Sequence, residues 1–558
     1  MKAITMKIRM YASICILISG WVLLMVSCSS EALEIEPKDQ ISNLTVWNEP
    51  TSADLFLNTI YGDIPTLNQW RSWGISAEDP EENYSDNSMN GVDWRYSRTV
   101  YATSVYTPST TISHWPLYNI IRACNVFIEN VSAADLDADW KKIRLAEARF
   151  LRAYFYQYLW VRYGKIPIIA EVLDRNTQGE SIFRPNNESD EVFEFIVSEL
   201  DAIVDDLPLD PEEGRASKGA VLALKGWCEL FQASPLKNST NDPARWIQAA
   251  KTYKQVMDLG FYDLFPDYST MFLKENNGNI ETIFSRKHLA NTSLGGIRII
   301  EMHVPYYKEQ WAGDGSICPT QELVDEYAMA NGLPITAPNS GYDPQRPYEN
   351  REQRFYQSII YNGSIWRDDT VRTYIGSGSK NTLDLASASE ATNTGYYLRK
   401  GLDARDAQNW RNTGEEDYII YRYAEVLIAY AEAANEAFGP TDLVYEAINK
   451  VRRRSELPDL PKGLDQNAMR TAIHRERRIE LAFEEKRWLD LLRLRLAEQN
   501  LNGPLHAIRI ERVNNRLVYT TIPAPGGNRV FDSGKNYVLP IPQSAIDQNS
   551  NLVQNNNY

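Results

Sequence analysis

Arg422-Tyr-Ala-Glu-Val-Leu-Ile-Ala-Tyr-Ala-Glu-Ala-Ala-Asn435 is the stretch that decides the fold. Tyr423, Val426, Leu427, Tyr430, Ala431 and Ala434 recur at helical spacing and form one apolar stripe. Gly439-Pro440 then ends the helix. Val444, Ala447, Ile448 and Val451 make a second stripe, stopped by Pro458 and Pro461, and a third helix is predicted from about Gln466 to Leu496. Connections this short favour antiparallel helix pairs.

The same pattern recurs nearer the N-terminus. Residues 51–61 open on Thr51 and Ser52 as caps. Ile143, Ala146, Phe150, Ala153, Tyr154 and Gln157 line one face of a helix between Lys141 and Trp160, and Gly164 and Pro167 stop it. Further helices are predicted near 189–206, 217–233 and 243–258. Helix pairs in series read as a solenoid of the tetratricopeptide kind, although no strict 34-residue repeat is visible. The expected class is mainly α, with stacked helix pairs, long loops and short β-strands. The helical scaffold covers about 50–260 and 418–500. Residues 64–112 and 260–415, rich in Gly, Pro, Asn, Ser and Thr, read as a loop-rich face, and long loops on a rigid scaffold carry function.

The first residues suggest where the protein works. Lys2, Lys7 and Arg9 precede an apolar run from Ile14 to Val26, too short to span a bilayer. A basic start, a short apolar stretch and Ser27 before Cys28 read as a secretory signal over 1–27. Cys28 then becomes the lipidated first residue of a mature chain, 28–558, read as a single domain. Lipid chains of this kind hold a protein to a membrane, each buried CH₂ adding roughly 0.8 kcal/mol. The formal charge of −16 argues against nucleic acid and anionic lipid surfaces as partners. Cys124, Cys228 and Cys318, each beside apolar or aromatic residues, are expected as core thiols.

With the lipobox-like Leu24-Met-Val-Ser-Cys28 in place, a series of motifs resembles the SusD/RagB family of outer-membrane nutrient-binding lipoproteins. They include Leu33-Glu-Ile-Glu-Pro37, Trp115-Pro-Leu-Tyr-Asn-Ile-Ile-Arg-Ala-Cys-Asn125, Ala146-Glu-Ala-Arg-Phe-Leu-Arg-Ala-Tyr-Phe155 with Tyr163-Gly-Lys-Ile-Pro167, and Lys218-Gly-Ala-Val-Leu-Ala-Leu-Lys225. Pro319-Thr-Gln-Glu-Leu-Val-Asp325 and Thr394-Gly-Tyr-Tyr-Leu-Arg-Lys400 follow. The C-terminal third adds Arg422 to Leu427, Ile448-Asn-Lys-Val-Arg452, Glu476 to Phe483, Arg487-Trp-Leu-Asp-Leu491 and Leu539-Pro-Ile-Pro542. Two places depart from the family: Glu352-Gln353-Arg354 where Asp-Pro-Arg is expected, and a tail ending Asn-Asn-Asn-Tyr558 rather than Asn-Pro-Gly-Tyr. Both are expected to lie outside the helical core. The resemblance implies four tetratricopeptide-like helix pairs under a loop-rich ligand face. It also implies a place as lid on a TonB-dependent outer-membrane transporter, and a cargo of glycan or, in some members, peptide.

The chemistry expected is binding, not turnover. Glu476, Glu480 and Glu484 lie four apart and share a helix face beside Arg477, Arg478 and Arg487. As an acid/base pair for glycoside hydrolysis, one of them must stay protonated. Arginines hold carboxylates ionised, so an ion-pair network is the favoured reading. None of the five histidines pairs at i, i+4 as in a zinc protease helix, and neither a Gly-x-Ser-x-Gly elbow nor a phosphate-cradling glycine loop is present. No metal or cofactor is called for.

Ligand contact is expected from two aromatic clusters. The first runs through Trp70, Arg71, Trp73, Asn90, Trp94 and Tyr96, the second through Tyr307 and Trp311. A flat ring covers the apolar face of a sugar while Asn, Asp or Arg takes its hydroxyls. One face burying roughly 100 Å² gains about 2.5 kcal/mol before ordering costs, and two or three such platforms give micromolar to millimolar binding. Trp115, which opens a motif helix, is assigned to the core. The competing readings are a secreted glycosidase on a helical scaffold, a helical scaffold that binds protein only, and a peptide-binding member of the same family.

Overall fold

The computed structural model describes residues 43–65, 80–91, 101–111, 113–289, 303–313, 315–385, 391–405 and 415–558. The signal segment and Cys28 lie outside them. Ten helices carry the scaffold: α1 (Pro50–Gly62), α2 (Leu117–Ala133), α3 (Ala138–Tyr163), α4 (Ser189–Asp201), α5 (Lys218–Ala233), α6 (Pro243–Asp258), α7 (Tyr423–Phe438), α8 (Asp442–Arg454), α9 (Gln466–Glu480) and α10 (Arg487–Arg493).

Their boundaries follow local chemistry. Ser217 caps α5 by accepting from Ala220 N at 3.0 Å, Asp242 caps α6 from Ala244 N at 2.9 Å, and Asp465 caps α9 from Ala468 N at 2.8 Å. Gly164 and Gly439 end α3 and α7 with φ of 73° and 79°, a turn that glycine adopts without a Cβ penalty. Each helix from α1 to α7 packs on the next in sequence, and α7 also packs on both α8 and α9. Taken two at a time, α2 to α9 make four pairs. The stack runs straight from α6 to α7 across the long insertion between them.

One apolar core runs the length of this stack. The stripe predicted on α3 is only part of its buried surface, because residues 150–163 are buried on every side. Neighbours α2, α4, α5 and α1 all pack on it, as expected of a helix apolar all round. Cys124 and Cys228 sit in this core and Cys318 in the second, all three with free thiols.

The described parts of the loop-rich stretches are not solvated coil. They close around a second core, built from Met89, Leu323, Tyr327, Phe355, Tyr396 and Tyr397 among others. Strands here are short: β1 (Ser88–Met89), β2 (Thr282–Arg286), β3 (Tyr306–Tyr307), β4 (Gln310–Trp311), β5 (Cys318–Pro319), β6 (Ile359–Ile360), β7 (Ile365–Trp366), β8 (Asp369–Thr370), β9 (Tyr397–Leu398) and β10 (Tyr418–Arg422). All pair antiparallel and two at a time. The one long pair is the hairpin β11 (Gly503–Val513) and β12 (Arg516–Arg529), which turns at Asn514-Asn515 with both φ positive. Thr394 O accepts from Ile508 N at 2.9 Å and so docks the hairpin on the second core.

One expected helix needs correction. The helix predicted from Gln466 to Leu496 breaks after Glu480. Residues 481–486 form a turn in which Phe483 (φ 64°) and Glu485 (φ 60°) take left-handed conformations, and the helix resumes at Arg487. Glu484 is therefore not on the same helix face as Glu476 and Glu480. The departure at Glu352-Gln353-Arg354 packs with the second core, where Arg354 is fully buried and reaches Glu476 at 2.6 Å and Glu480 at 2.8 Å.

That contact belongs to an ion network joining the two cores. Arg422 meets Glu281 at 2.6 Å, Glu480 at 2.7 Å and Glu484 at 2.7 Å. Arg454 also pairs with Glu480, and Lys400 meets Glu484 at 2.6 Å. The C-terminal tail is tied down as well. Asn555 Nδ2 donates to Tyr163 O and Leu539 O, each at 2.8 Å, and Tyr558 OH donates to Val538 O at 2.9 Å.

Candidate functional site

The candidate site is an edge of the second core where two tight hairpins lie side by side. In β3–β4, Tyr306 faces Trp311 and Tyr307 faces Gln310 across a two-residue loop. Lys308 and Glu309 fill that loop at φ 47° and 62°, the geometry a twisted two-residue hairpin demands. In β7–β8, Ile365 faces Thr370 and Trp366 faces Asp369, with Arg367 in the loop at φ 60°. Asn381 fixes the first hairpin, accepting from Tyr306 N at 3.2 Å and donating to Tyr306 O at 2.7 Å.

The two hairpins contact each other through polar side chains. The Tyr307 hydroxyl donates to Asp368, Lys308 Nζ pairs with Asp368 at 2.9 Å, and the Arg367 guanidinium lies 4.2 Å over the Tyr307 ring. One face of Tyr307 is thus occupied by a cation and its hydroxyl by a carboxylate. Lys380 approaches the Tyr306 ring at 5.1 Å, and Arg399 stands 5.9 Å from the Trp366 ring. Between the hairpins is only a shallow notch of about 10 Å³, lined by Tyr306, Tyr307, Trp366, Arg372 and Asn381 among others. An open edge of this kind suits an extended ligand rather than an enclosed small molecule.

Beneath it lies His303, 1% exposed, with its ring 5.4 Å from Trp366. Neither of its nitrogens has a hydrogen-bond partner among the described residues. Burial, aided by the Arg367 charge, pushes its pKa down to about 3.

One end of the described chain, at Gly91, lies close to this edge. Strand β1 pairs with β5, and Gly91, two residues after β1, packs so tightly that a Cβ there would stand 2.6 Å from Gly315 O. Gly315 N in turn donates to His303 O at 3.0 Å. Gly91, the last described residue before 92–100, therefore stands beside the foot of β3–β4. Trp94 and Tyr96 belong to that segment and lie outside the described residues, as do Trp70, Arg71 and Trp73 and the side chain of Trp311.

Of the described members, Tyr307 is half-buried on the edge itself. Asn90 is fully buried, with its main-chain carbonyl accepting from Asn393 Nδ2 at 2.8 Å, so it packs inside the second core rather than on an open surface. Other rings of the same part of the chain turn inward. Tyr84 stacks on Tyr101 at 4.3 Å, Tyr106 on Tyr558 at 6.1 Å, and Trp115 packs edge-on to Tyr163 at 5.4 Å.

Sequence reasoning missed His303, Trp366, Arg367 and Asn381. The stretch Ile365-Trp-Arg-Asp-Asp-Thr370 carries a usable signal, a charged pair between short runs of strand-forming residues. For His303 no local signal exists, because its burial is set by distant segments.

The three carboxylates weighed as an acid/base group do not sit at this edge. Arginines hold Glu480 well below the usual carboxylate range and Glu484 down at about 2 against the opposing effect of burial. Among the described residues no group of three or more His, Cys, Asp or Glu side chains is arranged to hold a metal ion.

Comparison with known proteins agrees with this architecture. A profile described as the SusD family matches residues 280–558, and one described as starch-binding associating with outer membrane matches residues 35–225. SusD-like protein P2 of Formosa agariphila is 27% identical over 452 residues, 79% of this chain and 79% of that protein. A solved SusD-like protein of Bacteroides fragilis superposes with a TM-score of 0.78 at 28% identity, covering 94% of this chain and 100% of that one. A SusD-like carbohydrate binding protein from the same species gives a TM-score of 0.77 at 26% identity, over 91% of this chain and 100% of that one.

Proposed function

The chain belongs to the SusD/RagB family, and from that premise we propose that it binds an oligo- or polysaccharide at the cell surface and delivers it, unaltered, to a TonB-dependent transporter in the outer membrane. Lipid on Cys28 is its anchor, and residues 28–558 act as one ligand-binding unit. A structurally similar relative described as carbohydrate binding supports the glycan cargo, and the profile's description of association with the outer membrane supports the location.

The observation that carries the reading is the hairpin edge. Two loops hold the half-buried rings of Tyr306 and Tyr307 beside lysines and arginines, with the buried Trp366 packed beneath them. Rings and fixed polar groups in one place are what a sugar's apolar face and hydroxyl rim need. Trp73, Trp94, Tyr96 and Trp311, with Trp70 and Arg71, are proposed as further contacts.

Retention in native gels cast with a panel of polysaccharides tests this. At least one polysaccharide slows the mature chain, and a Trp73→Ala, Trp94→Ala, Trp311→Ala variant with unchanged circular dichroism runs free. A panel without effect on mobility, or full retention of the triple variant, overturns the assignment.

A further inference from the structure

We propose that the hairpin edge selects glycans bearing anionic groups, uronate carboxylates or sulfate esters, with Arg367 and Arg399 as the principal anion contacts and Lys308 and Arg372 in support. This rests on the reading of that edge as the glycan-binding face.

Most buried arginines elsewhere in the fold meet carboxylates, Arg351 being an exception that donates to the main-chain carbonyls of Val324, Tyr327 and Pro347. In the ion network each guanidinium is answered by carboxylates. Arg354 faces Glu352, Glu476 and Glu480, Arg454 faces Glu281 and Glu480, and Arg493 faces Glu432 and Asp490. Asp86 likewise answers Arg478 and Arg487. A chain with a formal charge of −16 has carboxylates to spare for such pairs.

At the edge the pattern changes. Arg367 is half-buried, and its guanidinium meets only the Tyr307 ring, with neither an ion pair nor a hydrogen bond among the described residues. Arg399, also half-buried, reaches a single main-chain carbonyl, Ile365 O, at 3.3 Å. The two arginines flank one hairpin, Arg367 in its loop and Arg399 beside Trp366. Guanidinium donors left unanswered in a partly dehydrated place are suited to a planar oxyanion, which they grip with two parallel hydrogen bonds.

Two further cations at the edge are paired, but loosely. Lys308 and Asp368 are 57% and 67% exposed, and Arg372 stands 3.7 Å from Asp369, the two 47% and 33% exposed. Exposed pairs of this kind contribute little, so either cation can exchange its partner for a ligand anion at small cost. With Lys380, the edge carries five cations against the three carboxylates of Glu309, Asp368 and Asp369. The remainder of the acidic surface repels a polyanion, so a local positive patch both attracts it and sets where it lands.

Binding measured on immobilised polygalacturonate, alginate and a sulfated galactan, beside starch and a neutral β-glucan, tests the proposal on the full mature chain. An acidic polysaccharide is bound at low salt and at least about tenfold more weakly near 0.3 M salt, where charge screening is strong. An Arg367→Gln, Arg399→Gln variant weakens that binding at least about tenfold, and Arg367→Lys, which keeps the charge, weakens it by no more than about threefold. Should the double variant fail to fold, Lys308→Gln with Arg372→Gln, on exposed side chains, is expected to give about a threefold loss. The uronate and sulfate arms tell which anion is preferred, and binding in either supports the proposal. Binding to neutral polysaccharides alone, or equal weakening of acidic and neutral ligands in the double variant, overturns it while leaving glycan binding intact. Binding to none of them removes the functional reading itself.

Discussion

Arg422→Ala is expected to destabilise the protein by about 3–5 kcal/mol, the cost of removing one partner from a buried ion network and leaving the others uncompensated. Arg422 is 1% exposed and faces Glu281, Glu480 and Glu484, and its Nη2 also donates to Glu480 O at 2.7 Å. Lys400 and Arg454 remain to share those carboxylates, but neither can reach all three. The side chain joins the start of α7 to the turn after α9, the junction between the helical core and the second core. Arg453→Ala is the matched control, because Arg453 forms exposed pairs with Glu446 and Asp459 and its loss should lie within about 0.5 kcal/mol. Urea-unfolding midpoints of the two variants measured side by side decide it. Equal midpoints would mean that the network does not join the two cores.

The second large effect is a stability profile that is nearly level from pH 7 to about 4.5 and then falls steeply. Three kinds of buried group produce it. His303 titrates near 3 in the fold instead of near 6.5, so the unfolded chain gains its proton first and stability is lost as pH falls below 6.5, by about 3 kcal/mol at pH 4.5. Glu82 acts in the opposite sense. Burial raises it to about 6, so its contribution is fully present below 4.5 and is lost as pH rises through 6, a change of about 2 kcal/mol. Glu485, raised by burial and by the nearby Glu82 and Glu81, adds to that gain on acidification.

Below pH 4.5 only losses remain. Glu484, held at about 2 by Arg422 and Lys400, gives up about 3 kcal/mol by pH 2, and Glu480, Glu432 and Asp86 are depressed in the same direction by their arginines. Thermal midpoints at pH 7, 5.5, 4.5 and 3 check the shape. A His303→Asn variant should remove that residue's share of the loss, so that between pH 6.5 and 4.5 its midpoint changes more favourably than the wild type's, while the buried His114, also held below its usual range by burial, still contributes a loss. A wild-type midpoint that climbs below pH 4.5 would contradict the account.

How far the sequence carried this picture depended on where each instruction resides. Helices α5 to α8 were legible because stripe, cap and stop all lie within one short stretch, as in Ser217 before α5 and Gly439 after α7. The break after Glu480 was not legible, since Phe483 and Glu485 adopt left-handed backbone that their side chains do not advertise. Tertiary contacts hold them there: Phe483 N donates to Glu82 Oε1 and Glu81 N to Glu485. Hairpin β11–β12 was readable in principle, from alternation through Leu505, Ala507 and Tyr519 around Asn514-Asn515, and went unread.

The candidate site divided in the same way. Tyr307 and Trp311 share a hairpin short enough that its pairing is set within a few residues. Tyr84, Tyr101 and Tyr106 look no different in sequence, yet they stack on partners as distant as Tyr558 and Trp488. Asn90 was drawn into the interior by Asn393, some three hundred residues away. Whether a ring or amide faces ligand or core is settled by such long-range pairings.

The central claim, that this face grips a polysaccharide and leaves it whole, meets its most direct test in the chain-length distribution of a retained polysaccharide after prolonged incubation with the purified protein. The distribution should match that of the untreated polymer while retention persists throughout. Progressive shortening with new reducing ends, in proportion to protein added, would contradict it.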